Sequence, residues 1–367
     1  MHQLSKKIII AAGGTGGHLF PAQALAQDIH KQSPASTVVF LAGGLSTSAY
    51  FDRNRFSYHE VPCSPLFSKH PIKLLKGIFN LLKGIRHSIK HLKQIKPDVI
   101  VGFGSYYTVP TVLAGKLLRI PIILHEANSV PGKANRLLGS LAHCVALHFP
   151  SSSAFFKSKT FHVGCPLREG FRISSIDKEK AMSYYGFTNH KKTLLIFGGS
   201  QGAQAINLLI KETIPLLIQH SLQVIHITGN EKIKQELAEL YEKNQITACV
   251  KSFESQMQCA WKIADFFIGR AGASTIAEAM EFEVPGILIP YPYATENHQQ
   301  KNSEYLAQTI GGAITLSESN LSSPKLFQHL TNFLSENTLS QMKTNLQNYK
   351  NRPHQMTLFD LVMKFDF

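Results

Sequence analysis

Several features are scarce in this 367-residue chain, and each scarcity removes a class of function. No segment reaches about eighteen apolar residues, the minimum for a membrane-spanning helix. The opening stretch is polar from Met1 to Ser5, runs through Lys6-Lys7 into Ile8-Ile9-Ile10 and breaks at Gly13-Gly14. That apolar run is too short for a signal-peptide core, so a cytoplasmic or at most membrane-peripheral protein is expected. The five cysteines (Cys63, Cys144, Cys165, Cys249, Cys259) lie scattered without a C-x-x-C pair. A disulfide framework or zinc knuckle is therefore not indicated, and a reducing compartment fits. No G-x-x-x-x-G-K-[ST] occurs, which removes P-loop hydrolysis. A clean G-x-G-x-x-G is also missing, and Ala42-Gly43-Gly44 stands where a dinucleotide enzyme needs an acid for the ribose. There is no Asp-x-Asp either, so metal-bridged diphosphate handling is not signalled and no metal is expected.

Acid is the most unevenly missing component. Residues 1–167 hold 19 Lys and Arg against 5 Asp and Glu, whereas residues 168–367 hold 19 of each, so the net charge of +14 belongs to the first half. An anionic partner met by that half alone is implied. From Val61 through Pro97 there is no acid at all. Within that stretch Leu74, Ile78, Leu82, Ile85, Ile89, Leu92 and Ile95 recur at helical spacing. Lys73, Lys76, Lys83, Arg86, Lys90, Lys93 and Lys96 are interleaved with them. The pattern predicts a basic amphipathic helix, breaking near Gly77 or Gly84, that meets an anionic membrane surface through residues 66–96. Each basic residue near such a surface contributes about 1 kcal/mol, and Pro65-Leu66-Phe67 would add an apolar wedge. A nucleic-acid partner is not expected, because stacking aromatics are wanted among the basic residues and Lys73–Lys96 holds only Phe79.

What is present is a pattern that occurs twice. Lys7–Ala12 is a buried-strand run followed by Gly13-Gly14-Thr15-Gly16-Gly17-His18 and a helical pattern from Pro21 to Ile29. Thr193–Phe197 is a second such run, followed by Gly198-Gly199-Ser200-Gln201-Gly202 and a helix from Ala203 to Leu217. Further strand candidates are Val38–Ala42, Val99–Phe103, Ile120–Leu124, Val224–Thr228, Phe266–Ile268 and Gly286–Pro290, with helical patterns between most of them. The prediction is an α/β chain of two Rossmann-like domains facing across a cleft, with parallel sheets. Its first domain covers 1–165, the second 166–345, and a closing helix over 346–367 returns to the first. Short glycine turns that open helices favour phosphate through backbone N–H groups and the helix dipole. Thr15 and Ser200 could add hydroxyl donors.

A third turn is more particular. Arg270-Ala271-Gly272-Ala273-Ser274-Thr275-Ile276-Ala277-Glu278 places an acid one turn inside a helix, where a carboxylate can accept from both hydroxyls of a ribose. Val284-Pro285-Gly286, Tyr291-Pro292-Tyr293 and Asn297-His298-Gln299-Gln300 follow, and the amides of Gln299 and Gln300 suit sugar hydroxyls. Leaving-group charge would fall to helix termini, hydroxyls, Arg168 and Arg270.

Together with His125-Glu126-x-Asn128 and Pro131-Gly132-x-x-Asn135-Arg136, these motifs closely resemble a family of bacterial transferases over essentially the whole chain. Those enzymes add N-acetylglucosamine to undecaprenyl-pyrophosphoryl-N-acetylmuramyl-pentapeptide, turning lipid I into lipid II. The resemblance implies a GT-B glycosyltransferase architecture, UDP-N-acetylglucosamine as donor and the polyprenyl-pyrophosphate-linked muramyl-pentapeptide as acceptor. It also implies inversion without a required metal or other cofactor, a peripheral position on the cytoplasmic membrane face, and other cell-wall synthesis proteins as partners. By position it gives Thr15, Gly16 and Gly17 to the diphosphate or sugar and Asn128 to the sugar. Arg168, Ser200 and Ala273, Ser274, Thr275, Ile276, Ala277 and Glu278 go to the nucleotide, Gln299 to the N-acetylglucosamine hydroxyls, and the main chain of Phe253-Glu254 to uracil. Ala127, Cys165 and Ser105 depart from the family's usual Gln, Asn and Gly.

A base must take the acceptor's proton. His18, at the first glycine turn, is the first candidate and Glu126 the second, with His125 bracing the loop. Rival readings are a UDP-N-acetylglucosamine 2-epimerase, which leaves the basic helix unexplained, and a diacylglycerol glycosyltransferase, which would lack the His125–Arg136 pattern.

Overall fold

Runs of β-branched residues bounded by glycine become the central strands of two parallel sheets. The computed structural model describes residues 5–65, 71–199, 202–352 and 356–364. The chain divides into Met1–Glu169 with Gln355–Phe367, and Gly170–His354. The first crossing, between Glu169 and Gly170, lies beyond the expected division at 165/166.

In the first unit, β1 (Lys7–Ala11), α1 (Gly16–Gln32), β2 (Thr37–Ala42), β3 (Tyr58–Glu60), α2 (Pro71–Ile95), β4 (Val99–Gly102), α3 (Val109–Leu117), β5 (Ile122–Glu126), α4 (Lys133–Gly139), β6 (Cys144–Leu147) and β7 (Lys159–His162) follow in order. The sheet order is β3-β2-β1-β4-β5-β6-β7, and every pair is parallel. Both faces are covered, which is why β1 is apolar throughout rather than alternating. Ile8 and Ile10 enter the layer that holds Leu19, Leu25 and Ile29 of α1. Ile9 and Ala11 face the opposite layer, with Leu92 of α2 and Val112 of α3. Each buried isoleucine is worth about 1.5–3 kcal/mol.

The second unit runs α5 (Lys178–Tyr185), β8 (Lys192–Phe197), α6 (Gln204–Leu217), β9 (Leu222–Ile227), α7 (Glu231–Lys243), β10 (Thr247–Lys251), α8 (Met257–Ile263), β11 (Phe266–Gly269), α9 (Ala273–Phe282), β12 (Gly286–Leu288), α10 (His298–Glu304), β13 (Ala313–Thr315), α11 (Ser323–Phe333) and α12 (Glu336–Lys350). Its parallel sheet is ordered β10-β9-β8-β11-β12-β13. Helix α13 (Leu358–Lys364) belongs to the first unit, where Leu358, Leu361 and Val362 join the α1 layer and Val362 O accepts from Lys6 Nζ at 3.1 Å. In each sheet the order reverses beside one strand, β1 or β8, and ligands of open α/β sheets bind outside the carboxyl ends there.

Three local outcomes differ from the sequence-based expectation. Helix α1 starts at Gly16, ahead of Pro21, so His18 stands in its first turn. Strand β5 begins two residues late, after Pro121, and carries His125 and Glu126 to its carboxyl end. Helix α2 is one continuous piece of 25 residues. Gly84 lets it lie against the preceding chain: a Cβ there would sit 2.2 Å from Pro62 O and 3.0 Å from Pro110 Cβ. Its outer side leaves Leu74, Leu75, Ile78, Phe79 and Leu82 exposed beside Lys76, Lys83 and Arg86. Leu66 and Phe67 of the suggested wedge lie outside the described residues. Among the described residues no helix is long and apolar enough to cross a membrane.

Candidate active site

Four connections leave the carboxyl edge of the first sheet near β1. At the first, Thr15 caps α1, and the His18 and Leu19 amides return to Thr15 O at 3.1 and 3.2 Å. The amides of Gly16 and Gly17 are those that a helix start leaves without an intrahelical acceptor. His18 is half-buried, with Nδ1 3.4 Å from Thr15 Oγ1. Arg168, also of this unit, lays its guanidinium 4.3 Å over the ring of Phe20 on α1. It thus stands beside the first glycine turn and not in the unit that carries Glu278.

The β5–α4 connection is built around Glu126, which is 3% exposed. Its carboxylate accepts from Asn128 N at 2.9 Å, Gly132 N at 3.2 Å and Asn135 Nδ2 at 2.9 Å. Burial raises its pKa against the pull of these donors. Two donors come from the loop that presents Asn128 and the third from Asn135 on α4, so the carboxylate braces this connection. His125 is buried as well: Nε2 lies 3.3 Å from Gly164 O, Nδ1 has no partner, and burial lowers its pKa to about 4. His125 therefore stays neutral at physiological pH.

In the second unit the β11–α9 turn supplies the matching feature. Gly272 caps α9 and the Ile276 amide bonds Gly272 O at 3.1 Å, leaving the amides of Ala273, Ser274 and Thr275 as the helix-start donors. Ile276 and Ala277 turn their side chains into the core. Their packing supports the turn. Glu278, one turn in and half-buried, is fixed by Trp261 of α8, whose Nε1–H donates to its Oε2 at 2.7 Å. Arg270 is committed to structure. It donates to Ile289 O and Pro290 O at 3.1 and 3.3 Å and pairs with Glu318 at 2.5 Å while 7% exposed. Its guanidinium locks the chain just after β12.

Phe253 is 75% exposed, and Glu254 beside it 5%. The Glu254 carboxylate accepts from Lys251 Nζ (2.7 Å), Gln256 N (2.6 Å), Tyr185 OH (3.0 Å) and Tyr184 OH (3.1 Å). Burial alone would raise its pKa, but these donors outweigh it and hold the group below the usual carboxylate range. The turn at 252–256, just ahead of α8, is thereby rigid. Gln299 Oε1 accepts from Tyr291 N at 2.9 Å, which leaves its NH2 to act as donor, whereas Gln300 turns along α10 to Glu304 at 3.3 Å. Ser200 lies outside the described residues. Lys251 was not singled out from sequence, and neither were Trp261, Tyr184 and Tyr185, since no local pattern pairs a residue with an acid 17, 70 or 69 positions away. Among the described residues no group of three or more His, Cys, Asp or Glu could hold a metal.

Three comparisons with known proteins point to one family. Residues 8–147 match the glycosyltransferase family 28 N-terminal domain and residues 193–356 the family's C-terminal domain. A Protochlamydia amoebophila protein named UDP-N-acetylglucosamine–N-acetylmuramyl-(pentapeptide) pyrophosphoryl-undecaprenol N-acetylglucosamine transferase is 51% identical, over 98% of this chain and 96% of its own. The Bacillus subtilis protein of that name is 34% identical, over 92% and 93%. The crystal structure of Acinetobacter baumannii MurG superposes with a TM-score of 0.76 at 27% identity, covering 98% of this chain and all of that one. Two Rossmann-like units, the glycine turns at β1 and β8, and identity sustained along nearly the whole length place this chain in glycosyltransferase family 28, with the GT-B architecture.

Proposed function

We propose that this chain transfers N-acetylglucosamine from UDP-N-acetylglucosamine to the muramyl sugar of undecaprenyl-pyrophosphoryl-N-acetylmuramyl-pentapeptide, with inversion. The observation that carries the donor half is Glu278, held by Trp261 one turn inside a helix whose first three amides are available. A carboxylate so placed accepts from a ribose diol while the helix start takes the diphosphate. A well-aimed donor of this kind is worth about 2.7–4 kcal/mol toward the charge that develops on departing UDP. Ser200 would add a hydroxyl, Gln299 would read the sugar, and the main chain at Phe253-Glu254 would read the base. The acceptor half rests on relatives of this length and identity.

In the first unit, Thr15, Gly16 and Gly17 would meet the diphosphate or sugar, Asn128 the sugar and Arg168 the nucleotide. His18 would take the proton from the attacking hydroxyl, a step typically worth 10²–10⁴-fold. The exposed Leu74–Leu82 side of α2, flanked by lysines, would rest on the anionic cytoplasmic face of the membrane. The test is UDP release from UDP-N-acetylglucosamine with and without a polyprenyl-pyrophosphoryl-muramyl acceptor. Release should require the acceptor. Consumption of the donor without acceptor would instead favour epimerisation.

A further inference from the structure

We propose that Tyr107 is a positioning residue whose ring spaces the β1–α1 turn from the β2–β3 turn and so fixes where His18 stands. The ring is wedged edgewise. A Cβ on Gly14 would lie 3.3 Å from its Cδ2 and Cε2; on the other edge, a Cβ on Gly43 would lie 3.1 Å from Cδ1 and one on Gly44 2.9 Å from Cε1. At the root of the ring, a Cβ on Gly13 would lie 2.6 Å from Tyr107 Cβ. Any side chain at these positions would compete with the ring for the same space. The far turn is backed by Glu60, which accepts from the amides of Gly44 and Ser46, so the ring presses against a fixed wall. Tyr106 stacks on Tyr107 at 4.1 Å between centroids.

The backbone that delivers the ring is strained. Ser105 has φ 67 and ψ 157, a region nearly confined to glycine, at a typical cost of about 1–3 kcal/mol. Thr108 closes the turn by donating its amide and hydroxyl to Ser105 O at 3.2 and 2.9 Å. A non-glycine residue persists in such a region only where its surroundings over-determine it, and Tyr107 follows two residues later, wedged between the two glycine turns. The ring touches the turn that ends in Thr15 and His18, so its removal displaces a candidate base without altering any donor-site residue. Small misplacements of this kind cost about 10–100-fold in rate.

The inference rests on His18 as the base of the proposed transfer. The experiment measures kcat, both KM values and UDP binding for the full chain with Tyr107→Ala and Tyr107→Phe. It repeats Tyr107→Ala in a Ser105→Gly background, where the strain is gone, in case the single variant fails to fold. Tyr107→Ala should lose about 10–100-fold in kcat with the donor KM and UDP binding within twofold of wild type, and Tyr107→Phe should restore the rate. Wild-type kcat in a folded Tyr107→Ala chain overturns the proposal. Equal loss in Tyr107→Phe also overturns it, since the phenol oxygen would then be the working atom, and so does a parallel loss of UDP binding. Failure of the transferase reading itself would appear separately, as wild-type protein that releases no UDP with acceptor.

Discussion

His148 offers a perturbation whose size follows from the structure. It directly follows β6, is 2% exposed, and neither ring nitrogen has a hydrogen-bond partner. His162 Nε2 lies 2.9 Å from His148 O, and His125 is fixed at the end of the adjoining strand. Burial, then the neighbouring His125 and His162, lower the His148 pKa to about 3 from an ordinary 6.5. A histidine depressed in this way is neutral in the fold but takes a proton in the unfolded chain below pH 6.5. Stability is therefore complete above about pH 6.5 and falls as the pH drops toward the folded value. Each pH unit costs up to about 1.4 kcal/mol per group, so His148 removes about 2 kcal/mol between pH 6.5 and 5. His125, lowered to about 4 chiefly by burial, removes a similar amount. Against a total stability of about 5–15 kcal/mol this is a large fraction. Replacing His148→Leu should abolish its share. Calorimetry at pH 7.5 and pH 5 should then show a drop in Tm smaller than wild type's by about 4–8 °C. At pH 7.5 the variant should be at least as stable as wild type, because an orphaned N–H is gone. An identical acid slope in the two proteins would refute the reasoning.

Trp261→Phe keeps the ring packing but deletes the N–H held by Glu278, and UDP affinity measured by titration calorimetry should fall about 10–100-fold with little change in Tm. His18→Ala should lower kcat by about 10²-fold or more while leaving donor affinity alone, checked by steady-state kinetics and UDP titration. Turnover should survive EDTA; a complete loss restored by Mg²⁺ would rule out transfer without a metal. Changing exposed Leu75 and Phe79 of α2 together to Glu should strip the protein from anionic vesicles in flotation assays, while turnover of a short-chain soluble acceptor stays at wild-type level.

Most central strands were legible because buried parallel strands are unbroken apolar runs, as at Ile8–Ile10 and Leu194–Ile196, though the equally buried β6 was not among the expected strands. The sheet margins were not: β3 and β7 are short and half-exposed, so Tyr58–Glu60 and Lys159–His162 carry no such run. Gly77 and Gly84 suggested breaks in α2 because propensity ignores what passes beside a helix, and there the neighbouring chain needs the space. At the candidate site the anion-binding turns showed plainly as glycine between strand and helix. The bracing contacts of Glu126 and Arg270 did not, since partners such as Asn135, Ile289 and Glu318 lie elsewhere along the chain. Ser105 could be noticed as a departure, but only its backbone angles reveal a strained position.

The course of the chain through α13 has a practical consequence. A fragment ending at residue 169 would lack the final helix, and the groove that Leu358, Leu361 and Val362 fill beside α1 would lie open to water. The first unit cannot be obtained by a single cut. To be made alone it needs residues 356–364 rejoined by a linker, and without them it should stick to itself through the uncovered helix.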